Sequence, residues 1–335
     1  MCWKKLGETY AQDGIVLALG AGISVGSHLP SWRDLLQRLV SIHLDTGVSN
    51  LFADLQNNGL SLPAIASLLE ENSSGRSEFI VRVRESLYRD FPYFPEGVTK
   101  SNRRRFVQYI QETNPTLRSI ASLCAIPNEN GRSYEANKRI HGIVTFNLDA
   151  LLQAYIYARY EQRLLRTIER PSASRRSGKI NIYHVHGFLR FDTKAGDPSK
   201  EAPDAAILTE QDYFDFFNEP TSLFNYTFLY LLREFSCLFI GLSMQDDNLR
   251  RLLHYSKTER FRGFMSEGVK SVSREKLLRH YAILKRSGSV HVNRAVEDTL
   301  APLGTRVLWV SDYADIGKQI EGMYRSVGDD WEAVF

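Results

Sequence analysis

The stretch Gly14-Ile15-Val16-Leu17-Ala18-Leu19-Gly20-Ala21-Gly22 leaves a chain few ways to fold. Consecutive apolar residues with no polar alternation make a strand buried on both faces, and such strands belong to parallel sheets covered by helices. Runs of the same character recur at 142–146, 180–185, 237–240, 281–284 and 307–310. Helical patterns separate most of them. The expectation is an α/β fold: a Rossmann-like, doubly wound, mainly parallel sheet of about six or seven strands.

Between Ser31 and Arg139 only helical patterns appear. Leu35, Leu36, Leu39 and Val40 share one face of the first, and amphipathic stretches follow at 62–69, 79–88, 105–110 and 117–123. So long a span without strands is read as a helical insertion over about 50–126, within one domain covering 1–335. The basic stretch 170–179 and the stretch 193–204 read as turn-rich loops.

Composition narrows the function classes. With 43% hydrophobic residues among 335, the chain can bury a sizeable core. A formal charge of +3, from 42 basic and 39 acidic residues, demands no nucleic-acid partner. Cys2, Cys124 and Cys237 are scattered singly, which points to reduced thiols and no zinc. No apolar run reaches the length of a membrane span, and Lys4, Lys5 and Glu8 make the first residues unlike a signal peptide. A cytoplasmic location and no membrane partner are expected.

Polar and glycine-rich corners end four of the strands. Gly20-Ala21-Gly22-Ile23-Ser24 ends the first, where the absence of Cβ atoms lets backbone N–H groups approach a pyrophosphate. Thr145-Phe146-Asn147-Leu148-Asp149 ends the second, His184-Val185-His186-Gly187 the third, and Ile240-Gly241-Leu242-Ser243 the fourth. Open α/β sheets place their ligands at such carboxyl ends. Pro30-Ser31-Trp32-Arg33-Asp34 follows the first corner, with Ser31 and Asp34 spaced as a helix-starting capping box.

The order G-A-G-x-S, P-x-[FW]-R, T-x-N-x-D, H-G, G-x-S resembles that of the sirtuin family. It is most similar to the bacterial defence branch, the sirtuin-like NADases of anti-phage systems such as Thoeris and those paired with HerA-type ATPases. The segments 207–213 and 304–310 resemble that branch too.

The resemblance implies that the substrate is NAD⁺ and that Gly20, Ala21, Gly22 and Ser24 hold its phosphates. Gly241 and Ser243 would line the adenosine side. Asn147 would bond the nicotinamide ribose and position the attacking water. His186 would be the general base, and Asp149 would be part structural, part ribose pocket. Arg33 falls on the family's loop arginine over the cofactor, although Ser31 stands where deacylating sirtuins have an aspartate.

Deacylating sirtuins also carry a four-cysteine zinc module, which three scattered cysteines cannot build, so water is the expected acceptor. The implied activity is hydrolysis of the nicotinamide–ribose bond, depleting NAD⁺ in anti-phage defence. A non-catalytic sensor of NAD⁺ or ADP-ribose and a sirtuin-type deacylase are the alternatives. Control is expected from a homo-oligomer and from a protein partner such as a HerA-type ATPase, with nucleic acid entering only indirectly.

Simpler readings stand beside these. Asn147 and Asp149 suit a helix cap, as do Asp246 and Asp247. His184 and His186, two apart on a strand, would share one face, with His184 a satisfied core histidine. His141 reads as structural and Trp309 as core.

Overall fold

The computed structural model describes residues 2–44, 50–128, 130, 133–161, 163–169, 178–192, 206–218, 223–268 and 272–326. Of the loops expected at 170–179 and 193–204, all but Gly178 and Lys179 lie outside the described residues. At the axis of the sheet is β1 (Ile15–Leu19), buried at every position. It pairs in parallel with β4 (Ile140–Thr145) on one side and β7 (Cys237–Ile240) on the other. Beyond β4 lie β6 (Ile180–His184) and the edge strand β5 (Leu165–Ile168); beyond β7 lie β8 (His280–Lys285) and β9 (Thr305–Val310). The seven strands run in the order β5-β6-β4-β1-β7-β8-β9, all paired in parallel.

Because the central strands are buried on both faces, the sheet separates two packed layers. Leu17, Leu19, Ile143 and Ile182 face α1 (Cys2–Asp13), α2 (Trp32–His43), α7 (Pro115–Cys124), α8 (Leu151–Tyr160) and α14 (Ile316–Arg325). Val16, Ala18, Val144 and Phe239 face α10 (Leu223–Glu234), α11 (Asp247–Ser266) and α13 (Val290–Leu300). The expected doubly wound sheet is therefore present.

Residues 51–124 carry α3 (Leu51–Asn57), α4 (Leu62–Glu71), α5 (Arg76–Tyr88), α6 (Arg103–Thr113) and α7. Their apolar faces enter the first layer through Phe52, Ile65, Phe79 and Phe106. Two features depart from the sequence reading. The short strand β5 had no apolar run to betray it, because at a sheet edge three of its four residues stay partly exposed. An antiparallel pair, β2 (Ala125–Pro127) and β3 (Tyr134–Ala136), also falls where only helix was expected.

Three local features aim the strand ends. The register sets Leu19 opposite both Thr145 and Ile240, and Thr145 opposite His184, so the four chain segments leave the sheet at one level. The chain leaves β6 and resumes at β7 across β1, which makes the β1/β7 boundary the topological switch point. Asn114 holds the turn after β1: its Nδ2 donates to Ile23 O at 2.8 Å and Ser27 Oγ at 2.9 Å, while its Oδ1 caps α7 by accepting from Leu117 N at 2.9 Å. His141 is structural, with Nε2 2.6 Å from Asp13 O and its ring stacked on Phe235. Trp309, partly buried on the second layer, donates to Glu297.

Asn114→Ala removes a helix cap and two buried donors at once, and is expected to cost about 2–3 kcal/mol of stability. Urea unfolding should show a lowered midpoint with an unchanged slope. An unchanged midpoint would contradict this account of the turn.

Candidate active site at the carboxyl edge of the sheet

The turn after β1 and the turn after β7 touch through their backbones. Gly20 N donates to Ile240 O at 2.9 Å and Gly22 N to Gly241 O at 3.1 Å. A Cβ on Gly22 would stand 2.8 Å from Gly241 Cα, and one on Gly241, at φ +70, would stand 2.7 Å from Ile23 N. Both positions therefore exclude a side chain. Ile23 N and Ser24 N donate back to Gly20 O and Ala21 O. The visible work of these glycines is thus to let two corners close on each other, with four N–H groups already engaged there.

That closure brings Ser24 beside the end of β4. Ser24 Oγ donates to Asp149 Oδ2 at 2.7 Å, and Asp149 Oδ1 accepts from Leu151 N at 3.0 Å. Burial pushes the Asp149 carboxyl above its ordinary value, and the bonds from Ser24 and Leu151 oppose that shift. With its proton given to Asp149, the Ser24 hydroxyl accepts the Asn147 amide, Nδ2 to Oγ at 3.4 Å. The orientation of Asn147 follows: its NH₂ faces Ser24, and its Oδ1 is buried with no hydrogen-bond partner among the described residues. Asp149, one residue before the N-cap Ala150, accepts from the first N–H of α8, and the Asn147 side chain makes no such bond.

His184 stands on the same side. It lines a cavity of ≈ 10 Å³ with Leu19, Ile23, Thr145, Asn147, Asp149, Leu152, Gln153 and Ile182, room for about one water. Its Nδ1 lies 3.1 Å from Asn147 O and its Nε2 2.6 Å from Gln153 Nε2. A carbonyl only accepts, so Nδ1 carries the proton and Nε2 accepts from the Gln153 amide. Burial lowers this histidine to about 4, so it is neutral at physiological pH. Thr145 and Gln153 were assigned no role by sequence. The signal for Gln153 was a polar residue on the inner face of an apolar helix.

His186 does not share that face, because β6 ends at His184 and the chain turns. Its ring meets Phe146 edge-on at 5.0 Å and Tyr213 at 5.8 Å, and Phe146 in turn packs on Phe228 of the second layer. Burial lowers the His186 pKa, and the Asp246 carboxylate acts in the opposite direction. Asn147 and His186 thus flank the carboxyl edge from its two sides. They come from adjacent parallel strands, but the cavity that Asn147 lines does not include His186, so the expected single pocket facing both side chains is not what the described residues form.

The loops after β4 and β6 are tied together by Leu189 N donating to Leu148 O at 2.6 Å. From α5, the Tyr88 hydroxyl donates to Leu189 O at 2.7 Å and accepts from Ala150 N at 3.0 Å. Sequence reading gave Tyr88 only a place on a helix face.

Other expected site residues stand apart from this network. Arg33 is exposed, with its guanidinium over the Phe52 ring at 5.4 Å. Ser31 caps α2 as expected, accepting from Asp34 N at 3.2 Å, but its hydroxyl donates to the Asp34 carboxylate instead of completing the box. Ser243 is exposed and accepts from Gln245 N at 3.4 Å. Asp246 caps α11 through Leu249 N at 2.7 Å. Among the described residues no three His, Cys, Asp or Glu side chains gather as a metal site, and no helix is long and apolar enough to cross a membrane.

A seven-stranded parallel sheet covered by helices, with a polar cluster at the carboxyl ends of β1, β4 and β6, defines an α/β protein of Rossmann-like fold. A family model described as SIR2-like domain matches residues 141–308, half of the chain, and the chain belongs to that family. The matched span contains Asn147, Asp149, His184, His186 and Gly241. Membership fits an NAD-dependent, sirtuin-type function. No curated protein matches the chain.

A depressed histidine contributes stability above its unfolded pKa that is lost as pH falls toward the folded one. For His184 that window runs from the ordinary 6.5 down to about 4, worth roughly 3 kcal/mol across it. Unfolding free energies of the parent and of His184→Gln, compared over this range, should therefore converge on acidification. Parallel curves would refute the neutral buried assignment.

Proposed function

We propose that the chain is a NAD⁺ glycohydrolase, releasing nicotinamide and ADP-ribose, and that it serves anti-phage defence by depleting NAD⁺. The observation that carries this reading is the Asn147 amide, whose Oδ1 is left as a buried acceptor at the carboxyl end of β4 with no hydrogen-bond partner among the described residues. An unmet buried acceptor costs about 1–3 kcal/mol, and a ribose hydroxyl or a water supplies the missing donor. The corner behind it has room for about one water, so the reacting end of NAD⁺ would meet Asn147 from the carboxyl edge of the sheet.

The two flanking residues then divide the work. Asn147, held by Ser24 and Asp149, orients the ribose or the water. His186 on the other flank is lowered by burial, hence neutral, and takes a proton from water as the oxygen bonds to C1′ of the ribose. The C1′–N bond breaks with its electron pair going to nicotinamide, whose ring nitrogen thereby loses its positive charge. Nothing else is consumed. Gly20, Ala21, Gly22 and Ser24 would lie toward the phosphates, with Gly241 and Ser243 toward the adenosine. The support for that placement is the sequence resemblance, since the N–H groups of Gly20, Gly22, Ile23 and Ser24 are engaged within and between the two corners.

Water is favoured over an acyl-lysine acceptor because three cysteines cannot form the four-cysteine zinc module of deacylating sirtuins. We further take the working form to be a cytoplasmic homo-oligomer that docks a protein partner such as a HerA-type ATPase. The support there is the sequence resemblance.

Incubating the full chain with NAD⁺ and separating the products by chromatography tests the activity. Asn147→Ala and His186→Ala should each slow nicotinamide release by roughly 10²–10⁴-fold and leave the circular dichroism spectrum unchanged. Binding of NAD⁺ with no release by the parent would favour a sensor. Release at the parental rate in both variants would rule out the assigned site.

A further inference from the structure

The segment 206–213 is fastened more heavily than a connection between strands requires. At one end Arg76 Nη2 lies 3.0 and 2.9 Å from the two Asp212 oxygens and also donates to Ala206 O. Its Nη1 lies 3.2 Å from each Glu70 oxygen. Asp212 Oδ2 accepts from Leu208 N at 2.9 Å and Thr209 N at 2.8 Å, and Thr209 Oγ1 accepts from Asp212 N at 3.3 Å, a reciprocal cap on α9 (Glu210–Asn218). Glu210 N donates to Ser67 Oγ at 3.1 Å, pinning the segment to α4. At the other end Ile207 N donates to His186 O at 3.0 Å.

The residue next after Asp212 is Tyr213, whose ring meets His186 at 5.8 Å and 74°. Phe146 meets the same imidazole at 88°. Two aromatic rings standing nearly perpendicular to an imidazole restrict its rotation about the Cβ–Cγ bond. Phe146 is fixed by the backbone of β4. Tyr213 is carried by the first turn of α9, which the fastening just described ties to α4 and α5. The Arg76 and Asp212 side chains are 20% and 22% exposed, so water screens their attraction less than it would a surface pair.

We propose that the Arg76–Asp212 ion pair is a clasp that lays Tyr213 against His186 and so sets the orientation of the imidazole, making Arg76 and Tyr213 positioning residues of this site. The inference rests on the reading of His186 as the base. Burial and the carboxylates of Asp246 and Asp212 keep the Tyr213 phenol protonated, so its part is to pack, not to transfer a proton. Among the described residues, Phe146 at the end of β4 and Tyr213 on α9 meet the imidazole with their rings, and the Asp246 carboxylate ahead of α11 acts on it electrostatically.

The test is proton–nitrogen and proton–carbon NMR of the histidine side chains in the full, ligand-free chain, with His186 assigned by its loss in His186→Gln. Arg76→Met and Tyr213→Leu should each shift or broaden the His186 ring signals, while Tyr213→Phe, which keeps the ring, should leave them in place. In NAD⁺ cleavage the first two variants should lower kcat about two- to tenfold, with a smaller change in KM. His186 signals that stay unmoved in Arg76→Met overturn the clasp. Should Arg76→Met not fold, Asp212→Asn, which removes the charge of the pair from its other side, decides in its place. The ring signals report on His186 even in a chain that cleaves no NAD⁺, so failure of the clasp and failure of the proposed activity are distinguishable.

Discussion

Everything at the candidate site depends on one backbone contact, that of the Gly20–Ile23 turn against Gly241. Two loops from neighbouring parallel strands normally stay apart by the thickness of their side chains. Here the missing Cβ atoms at Gly22 and Gly241 let carbonyl and amide groups of the two turns bond directly. The contact fixes where β1 ends, and with it where Ser24 sits. From Ser24 the order passes to Asp149 and Asn147. A side chain forced into either glycine would displace a hydroxyl on which both Asp149 and Asn147 depend.

The polar network beyond that contact has a direction. The Ser24 proton goes to Asp149, so the Asn147 NH₂ must face Ser24, and the Asn147 carbonyl oxygen is turned away from all of them. His184 reinforces the arrangement from behind by holding the Asn147 backbone oxygen. Burial in low dielectric makes each of these bonds strong and each omission expensive. Of the polar residues in this corner, Asn147, Asp149 and His184 lie within the span matched by the SIR2-like family model, and Ser24 lies outside it.

The helices of the first layer do more than cover the sheet. From α5, Tyr88 binds the loops after β4 and β6 to each other, and Arg76 binds the segment that carries Tyr213. Both ends of that helix therefore bear on the residues around His186. A helical region joined so closely to the site is able to transmit a load placed on its outer surface, since packed elements shift as units.

The parallel sheet was legible because a strand buried on both faces must be apolar throughout, and that leaves a run such as Ile15–Leu19. The strand-end motifs were legible for the same reason: glycine, asparagine and histidine interrupt apolar runs only at a cost. Helix caps such as Ser31 and Asp246 were visible because a cap is satisfied within a few residues of itself. The edge strand β5, half exposed, carries no such pattern. Nor could period two place the histidines, since alternation holds only while the strand lasts, and β6 ends at His184. Tyr88, Gln153 and the Arg76–Asp212 pair owe their roles to partners 31 to 136 residues away. Local chemistry thus determined the layers, the strand ends and the candidate residues. Tertiary structure alone decided which of them touch, because a hydrogen bond between distant segments exists only once the sheet has brought those segments to one edge.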